Sequence, residues 1–150
     1  MRIKTITCHD VYNYGAALQA YALQTFLLNQ GHDVEIIDYK PDYQCIHYKF
    51  WHVPKNSRYY TRAMKSNVLR FLLCCYFAPK RFSTWGRKLR FDAFKKQCLH
   101  CTHRYKSYQE LVASPPDGDI YMAGSDPIWN SVLPTGQDPS FCVQCGPGDV

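Results

Sequence analysis

Two polar segments carry the residue types from which a binding site can be built. The first is Cys8-His-Asp-Val-Tyr-Asn-Tyr-Gly15, which ends where a helical pattern begins. Gly15 lets the backbone approach a ligand. The amides of Gly15 to Leu18, with the helix dipole behind them, favour an anion. A lone glycine is not the glycine-rich fingerprint of a dinucleotide site. The plainer reading is a tight loop in which Asn13 caps the helix. The second segment is Ala123-Gly-Ser-Asp-Pro-Ile-Trp-Asn130. Ser125 and Asp126 suit a sugar hydroxyl, and Trp129 suits a sugar face; the plainer reading is a capping turn around a buried Trp. Together the segments offer Asn13, Tyr14, Gly15 and Gln19, then Gly124, Ser125, Asp126, Trp129 and Asn130, as candidate substrate-binding residues. No catalytic acid or base is assigned.

The cysteines raise a different chemistry. Cys98-Leu-His-Cys101 and Cys142-Val-Gln-Cys145 have the spacing of zinc ligands, and His100 and His103 lie close to the first pair. The long gap between the pairs, and the apolar setting of the second, favour Cys142 and Cys145 as small buried hydrophobes over a metal site. No resident metal or cofactor is expected.

The elements that must position these groups follow from periodicity. Ile3 to Cys8 alternates as a strand. Ala16 to Asn29 places Ala16, Ala20, Leu23 and Leu27 at helical spacing, with Gly31 just past the end as a C-cap. Asp33 to Asp38 is a second strand, stopped at Lys40-Pro41. A connection of this length forces a parallel crossover, right-handed by rule. Residues 39–60 lack a clear period. Residues 61–78 fit a helix ended by Pro79, and Phe82 to Cys98 fits another. Ser107-Tyr-Gln-Glu110 has the form of a capping box before a short helix. Asp119 to Ala123 reads as a third strand and Phe141 to Gln144 as a short fourth. The expected fold is α/β, a three-layer sandwich with residues 3–8, 33–38 and 119–123 as neighbouring parallel strands. In such sheets, ligands bind beyond the carboxyl ends of the strands, where both polar segments begin.

The chain of 150 residues is long enough for one domain and no more. Its longest apolar run, Phe71 to Ala78, is far shorter than the roughly 20 residues of a membrane span. The N-terminus lacks the apolar core of a signal peptide, so a cytoplasmic location with reduced thiols is expected. Net charge is +6, but it is unevenly spread. Residues 55–106 contain many Lys and Arg and one acid, Asp92, whereas the rest of the chain is acidic. This basic helical stretch reads either as an insertion presenting a cationic face to an anionic membrane, or as solvated surface helices. No specific nucleic acid is expected as a partner.

Several separate motifs, in order, resemble the polysaccharide pyruvyl transferase family. They are Asn13-Tyr-Gly-Ala-Ala-Leu-Gln-Ala-Tyr-Ala-Leu-Gln24, Gly31-His-Asp-Val-Glu-Ile-Ile-Asp-Tyr-Lys-Pro41, Phe91-Asp-Ala-Phe94, Tyr105-Lys-Ser-Tyr-Gln-Glu-Leu111, and Gly124-Ser-Asp-Pro-Ile-Trp-Asn130 with Asp138-Pro139. The resemblance spans nearly the whole chain. It departs at Pro127, which stands where the family usually has Gln and so lacks that amide, and at Cys142 and Cys145. The resemblance implies a Rossmann-like lobe, the N-terminal half of a two-lobe enzyme of the GT-B type. It implies transfer of pyruvyl from phosphoenolpyruvate, a donor substrate, to a sugar of a bacterial surface polysaccharide, with a lipid-linked acceptor. The family's donor-binding basic residues lie mainly in the second lobe, which another chain would supply. On this reading residues 1–150 are a single acceptor-side lobe with a basic insertion at about 55–106, docked at the inner face of the membrane, and inactive alone. The competing classes are a non-enzymatic basic module for an anionic membrane or nucleic acid, and a zinc-stabilised interaction domain.

Overall fold

A computed structural model describes residues 1–41, 43–44, 53, 57–124, 128 and 130–142, apart from the side chains of residues 80–84. In chain order the elements are β1 (Arg2–Ile6), α1 (Tyr14–Asn29), β2 (Asp33–Tyr39), α2 (Tyr60–Lys65), α3 (Asn67–Cys98), β3 (Cys101–Tyr105), α4 (Tyr108–Ala113) and β4 (Ile120–Ala123). The chain divides into two compact units, Met1–Gln44 with Phe91–Val150, and Cys45–Arg90. Residues 91–106 of the basic stretch belong to the first unit.

The first unit is built on a sheet of order β3-β2-β1-β4, with every pair parallel. The three strands expected from periodicity are neighbours, and β1 lies between β2 and β4. One face of the sheet carries Ile3, Val34 and Met122 under Leu23, Leu27 and Leu28 of α1. Beside them, Ile36 packs with Ala20, Phe94 and Leu99. The other face carries Ile6, Ile37, Tyr39 and Tyr105 against Leu111 of α4 and Phe141. Helices thus cover both faces, which makes the unit a Rossmann-like three-layer α/β sandwich.

The ends of α1 are set locally. Asn13 caps its start through Oδ1, which accepts from the amides of Gly15 (2.8 Å) and Ala16 (3.4 Å). At its other end Gly31 takes φ +84°, and its amide donates to the Leu28 carbonyl. That is the left-handed conformation glycine adopts at lowest cost. Ser107 caps α4 by accepting from the Glu110 amide, as the capping-box pattern predicts.

The second unit has its own small core, in which Val53, Ala63 and Cys74 pack with Tyr60, Leu69 and Leu73. Among the described residues no helix is long and apolar enough to cross a membrane.

Four expectations are corrected. No element is expected between Cys98 and Ser107, yet β3 runs through Cys101–Tyr105. Its residues do not alternate, because it is an edge strand with only Tyr105 fully buried. The helix expected over 61–78 is split at Ser66, which is extended at φ −135° and ψ 115° and accepts from the Leu69 amide. Pro79 does not end a helix but lies inside α3. The carbonyl it leaves without a helical donor belongs to Cys75, which is exposed, so water can serve it. Residues 141–142 form the end of a 3-10 turn, Pro139–Cys142, rather than a strand, and Cys142 is exposed rather than buried. Residues 143–145 lie outside the described residues.

Two glycines give opposite predictions. A Cβ at Gly136 would lie 2.1 Å from the carbonyl oxygen of Asn130, where only backbone movement could relieve it. Gly136→Ala should lower stability by about 1–3 kcal/mol. Gly86, inside α3, has nothing within 4 Å of its would-be Cβ. Gly86→Ala should raise stability by about 0.5–1 kcal/mol. Urea unfolding midpoints should move in opposite directions for the two variants.

Candidate functional site

The carboxyl edge of the sheet holds a knot of charge. The chain leaves β1 through Thr7 and Cys8 to His9 and Asp10, both buried. Asp38 lies near the end of β2 and is also buried, with Lys40 just past it. Arg104 comes from β3 and Lys95 from the last turn of α3. Asp10 Oδ2 is 2.8 Å from Lys40 Nζ, 3.1 Å from Lys95 Nζ and 3.3 Å from Arg104 Nη2. Asp38 Oδ1 is 2.7 Å from Lys95 Nζ and 3.3 Å from His9 Nε2, and its Oδ2 accepts from Arg104 Nε at 3.1 Å. The other ring nitrogen of His9 lies 3.1 Å from the Thr7 carbonyl. Four segments therefore meet on two carboxylates.

Burial alone would raise both carboxyls. For Asp10 it is outweighed by the hydrogen bond from Lys40 and the charge of Lys95. For Asp38 it is outweighed by the nearby His9 ring, 3.3 Å away, and by the hydrogen bond and charge of Lys95. Both therefore titrate below the usual carboxylate range, Asp38 far below it.

The backbone around the knot is specialised. Pairing of β2 with β3 is irregular between Ile36 and Asp38. There the Asp38 amide donates to Thr102 Oγ1 (3.1 Å). Tyr12 takes φ +54°, unusual for a bulky residue. Its ring is buried, edge-on to Phe91 at 6.0 Å and under Lys40 Nζ at 5.0 Å. A second carboxylate, Asp138, takes its partners from the end of β2 and the turn after it. Asp138 accepts from the hydroxyls of Tyr39 (2.6 Å) and Tyr43 (2.7 Å) and from the Ser140 amide. Burial, then the bond to Asp138, pushes the Tyr43 hydroxyl well above the usual range.

The candidate residues fall on this edge unevenly. Asn13 is exposed and serves as the helix cap. The amides of Gly15 and Ala16 go to its side chain and that of Ala17 to its carbonyl. The anion seat expected there is taken up by capping. Tyr14 is exposed, with its ring tilted at 45° against that of Phe91 at 4.8 Å. Gln19 is half-buried, one turn further along α1. Gly124 brings the second segment to the first: its amide donates to the Ile6 carbonyl (2.7 Å), and a Cβ there would lie 2.7 Å from Thr7 Cβ. Asn130 is exposed, with Oδ1 accepting from the Val132 amide. Ser125, Asp126, Pro127 and Trp129 lie outside the described residues.

Among the described residues no group of three or more His, Cys, Asp or Glu is arranged to hold a metal ion. Cys98 closes α3 and Cys101 opens β3, where burial pushes the Cys101 thiol up to about 11.

A family model described as polysaccharide pyruvyl transferase matches residues 13–142. The chain belongs to that family. No curated protein and no solved structure matches it. The matched span begins at the cap of α1 and contains Asp38, Lys40, Lys95, Arg104 and Asp138. It leaves out His9 and Asp10, which complete the knot from the β1 side. The pyruvyl transferase motifs therefore mark most of this edge, and the strand before them supplies the rest. His9, Asp10, Asp38, Lys95 and Arg104 were not among the candidates drawn from motifs. The signal that finds them is position at a strand end, which applies directly to His9, Asp10 and Asp38.

Two measurements test the knot. The folded carboxyls stay ionised where an unfolded Asp, with a pKa of about 3.9, takes up a proton. Their contribution to stability is therefore complete above about pH 4 and is lost as pH falls below it. Acid unfolding should steepen in that range, and Asp38→Asn should flatten the slope. Lys95→Met, which strips a cation from both buried carboxylates, should cost about 3 kcal/mol in denaturant unfolding at neutral pH, the lower end for a broken buried pair because Arg104 remains.

Proposed function

We propose that the chain supplies the acceptor-side lobe of a pyruvyl transferase, which moves pyruvyl from phosphoenolpyruvate to a sugar of a bacterial surface polysaccharide as a ketal. In that reaction two sugar hydroxyl oxygens bond to C2 of the enol phosphate, and the bond from C2 to the phosphate oxygen breaks. One hydroxyl proton ends on the methylene carbon, which becomes a methyl. The other leaves with the phosphate. The chemistry needs a proton donor at the methylene carbon and a cationic clamp on the phosphate.

One observation supports assigning this lobe to the acceptor. The strand-end cations that would suit a phosphate, Lys40, Lys95 and Arg104, are already bound to Asp10 and Asp38. The first amides of α1, the other common anion seat, are bound to Asn13. On this reading the donor clamp comes from a second lobe, on the same chain or another. The knot then has a positioning role: it fixes the loops after β1 and β2 against one another, so that the edge meets a sugar as a rigid surface. His9, whose side chain is fully buried, orients Asp38 rather than touching substrate.

Isothermal titration with phosphoenolpyruvate should show no saturable binding to the 150-residue protein. Phosphate release in the presence of a lipid-linked glycan should stay at the rate without protein. Saturable phosphoenolpyruvate binding that disappears in Arg104→Gln would place the donor in this lobe and overturn the assignment.

A further inference from the structure

The second compact unit, Cys45–Arg90, carries eleven Lys and Arg residues and no Asp or Glu. Its main helix is apolar on two sides. Leu69, Leu73 and Cys74 point into the unit's own core. On the opposite side Val68, Phe71, Leu72, Cys75 and Tyr76 repeat at spacings of three and four, which puts them on one face. All five are exposed, with Val68 at 71%, Leu72 at 57% and Tyr76 at 76%. About two and a half turns of helix thus show an apolar stripe to solvent, more than scattered surface hydrophobes would give. Close in sequence, α2 adds exposed Met64 and, with Arg58 and Tyr59, lines an open cavity of about 460 Å3 whose walls are Arg58, Tyr59, Thr61 and Arg62. Farther along α3, Trp85 and Leu89 are also exposed, and Lys88 Nζ lies 5.7 Å from the Trp85 ring centre.

We propose that this unit docks on an anionic lipid surface, with the Val68–Leu72–Tyr76 face of α3 entering the headgroup layer and the Arg58–Arg62 cavity taking a lipid phosphate. Charge complementarity commits the surface to that occupant. A unit of eleven cations and no acids repels a second copy of itself, and it is attracted to a sheet of negative headgroups. The aliphatic members of the stripe decide between lipid and nucleic acid. Val68, Leu72 and Met64 gain from an acyl boundary but have nothing to offer a sugar–phosphate backbone, whose readers are cations and stacking rings. The docking rests on this unit's surface alone and does not depend on the reaction assigned to the strand edge.

Co-sedimentation of the whole protein with vesicles tests it. Binding is expected to phosphatidylcholine vesicles that contain phosphatidylglycerol and not to phosphatidylcholine alone. It should weaken as salt rises, since the screening length falls from about 10 Å at 0.1 M to about 3 Å at 1 M. Arg58→Gln with Arg62→Gln should weaken binding about thirtyfold, from about fivefold for each cation near the surface. Leu72→Ser with Tyr76→Ser should weaken it about tenfold, through lost apolar insertion. Both pairs change exposed residues, so far-ultraviolet circular dichroism should not move. Equal recovery on both vesicle types would overturn the proposal. So would lipid binding untouched by either double variant, a stable dimer dissolved by the Leu72/Tyr76 variant, or tight binding to DNA in preference to vesicles.

Discussion

Two carboxylates that cannot be left alone organise the first unit. Asp10 and Asp38 are each about nine-tenths or more buried, and a buried carboxylate without partners is strongly disfavoured. Their partners come from elements far apart in the chain: the turn after β2, the end of α3 and the edge strand β3. The hydrophobic layers bring these elements to the sheet. The carboxylates then select the register at which each arrives, because a shift of one residue would turn Arg104 to the opposite face. The irregular pairing at Ile36 and Asp38 is where this selection shows in the backbone.

The same pairing decides what kind of surface the edge can be. Clefts of parallel sheets often bind anions, through helix amides or strand-end cations. Here both kinds of group are engaged inside the protein, by Asn13 and by the two aspartates. Among the described residues of this edge, Lys40, Lys95 and Arg104 are each paired with Asp10 or Asp38. A phosphate arriving here would compete with Asp10 and Asp38 for these cations. The positive charge of the chain is concentrated in the other unit.

The legible parts of the fold were those whose signal is local. Gly31 at the end of α1, the box at Ser107, the alternation read in β1 and the apolar residues of β2 each depend on residues within a few positions. Edge strand β3 was not legible, because Cys-Thr-His-Arg-Tyr buries only its last residue fully and so leaves no period. The break at Ser66 precedes the apolar face of Val68 to Tyr76, so that face gave no sign of it. Pro79 looked like a stop, but its exposed setting lets the helix continue. At the site, motif reading reached Asn13 and Gly124, whose roles are backbone roles. It passed over the ion knot, since Lys95 and Arg104 looked like members of a basic surface stretch. Only the tertiary arrangement reveals that they face inward to carboxylates.

Gln24 has a consequence of a different kind. It sits in α1, almost fully buried, and its amide reads both ends of the link from α3 to β3: Nε2 donates to the Cys98 carbonyl at 3.0 Å, and Oε1 accepts from the His100 amide at 2.7 Å. A side chain there must give one hydrogen and take another at a fixed reach. Glutamate takes but does not give, lysine gives but does not take, leucine does neither, and asparagine falls one methylene short. The position therefore admits an alphabet of one letter, set by the grammar of two backbone groups rather than by any ligand. Invariance at Gln24 among related chains would testify to the joint between helix and edge strand, not to catalysis.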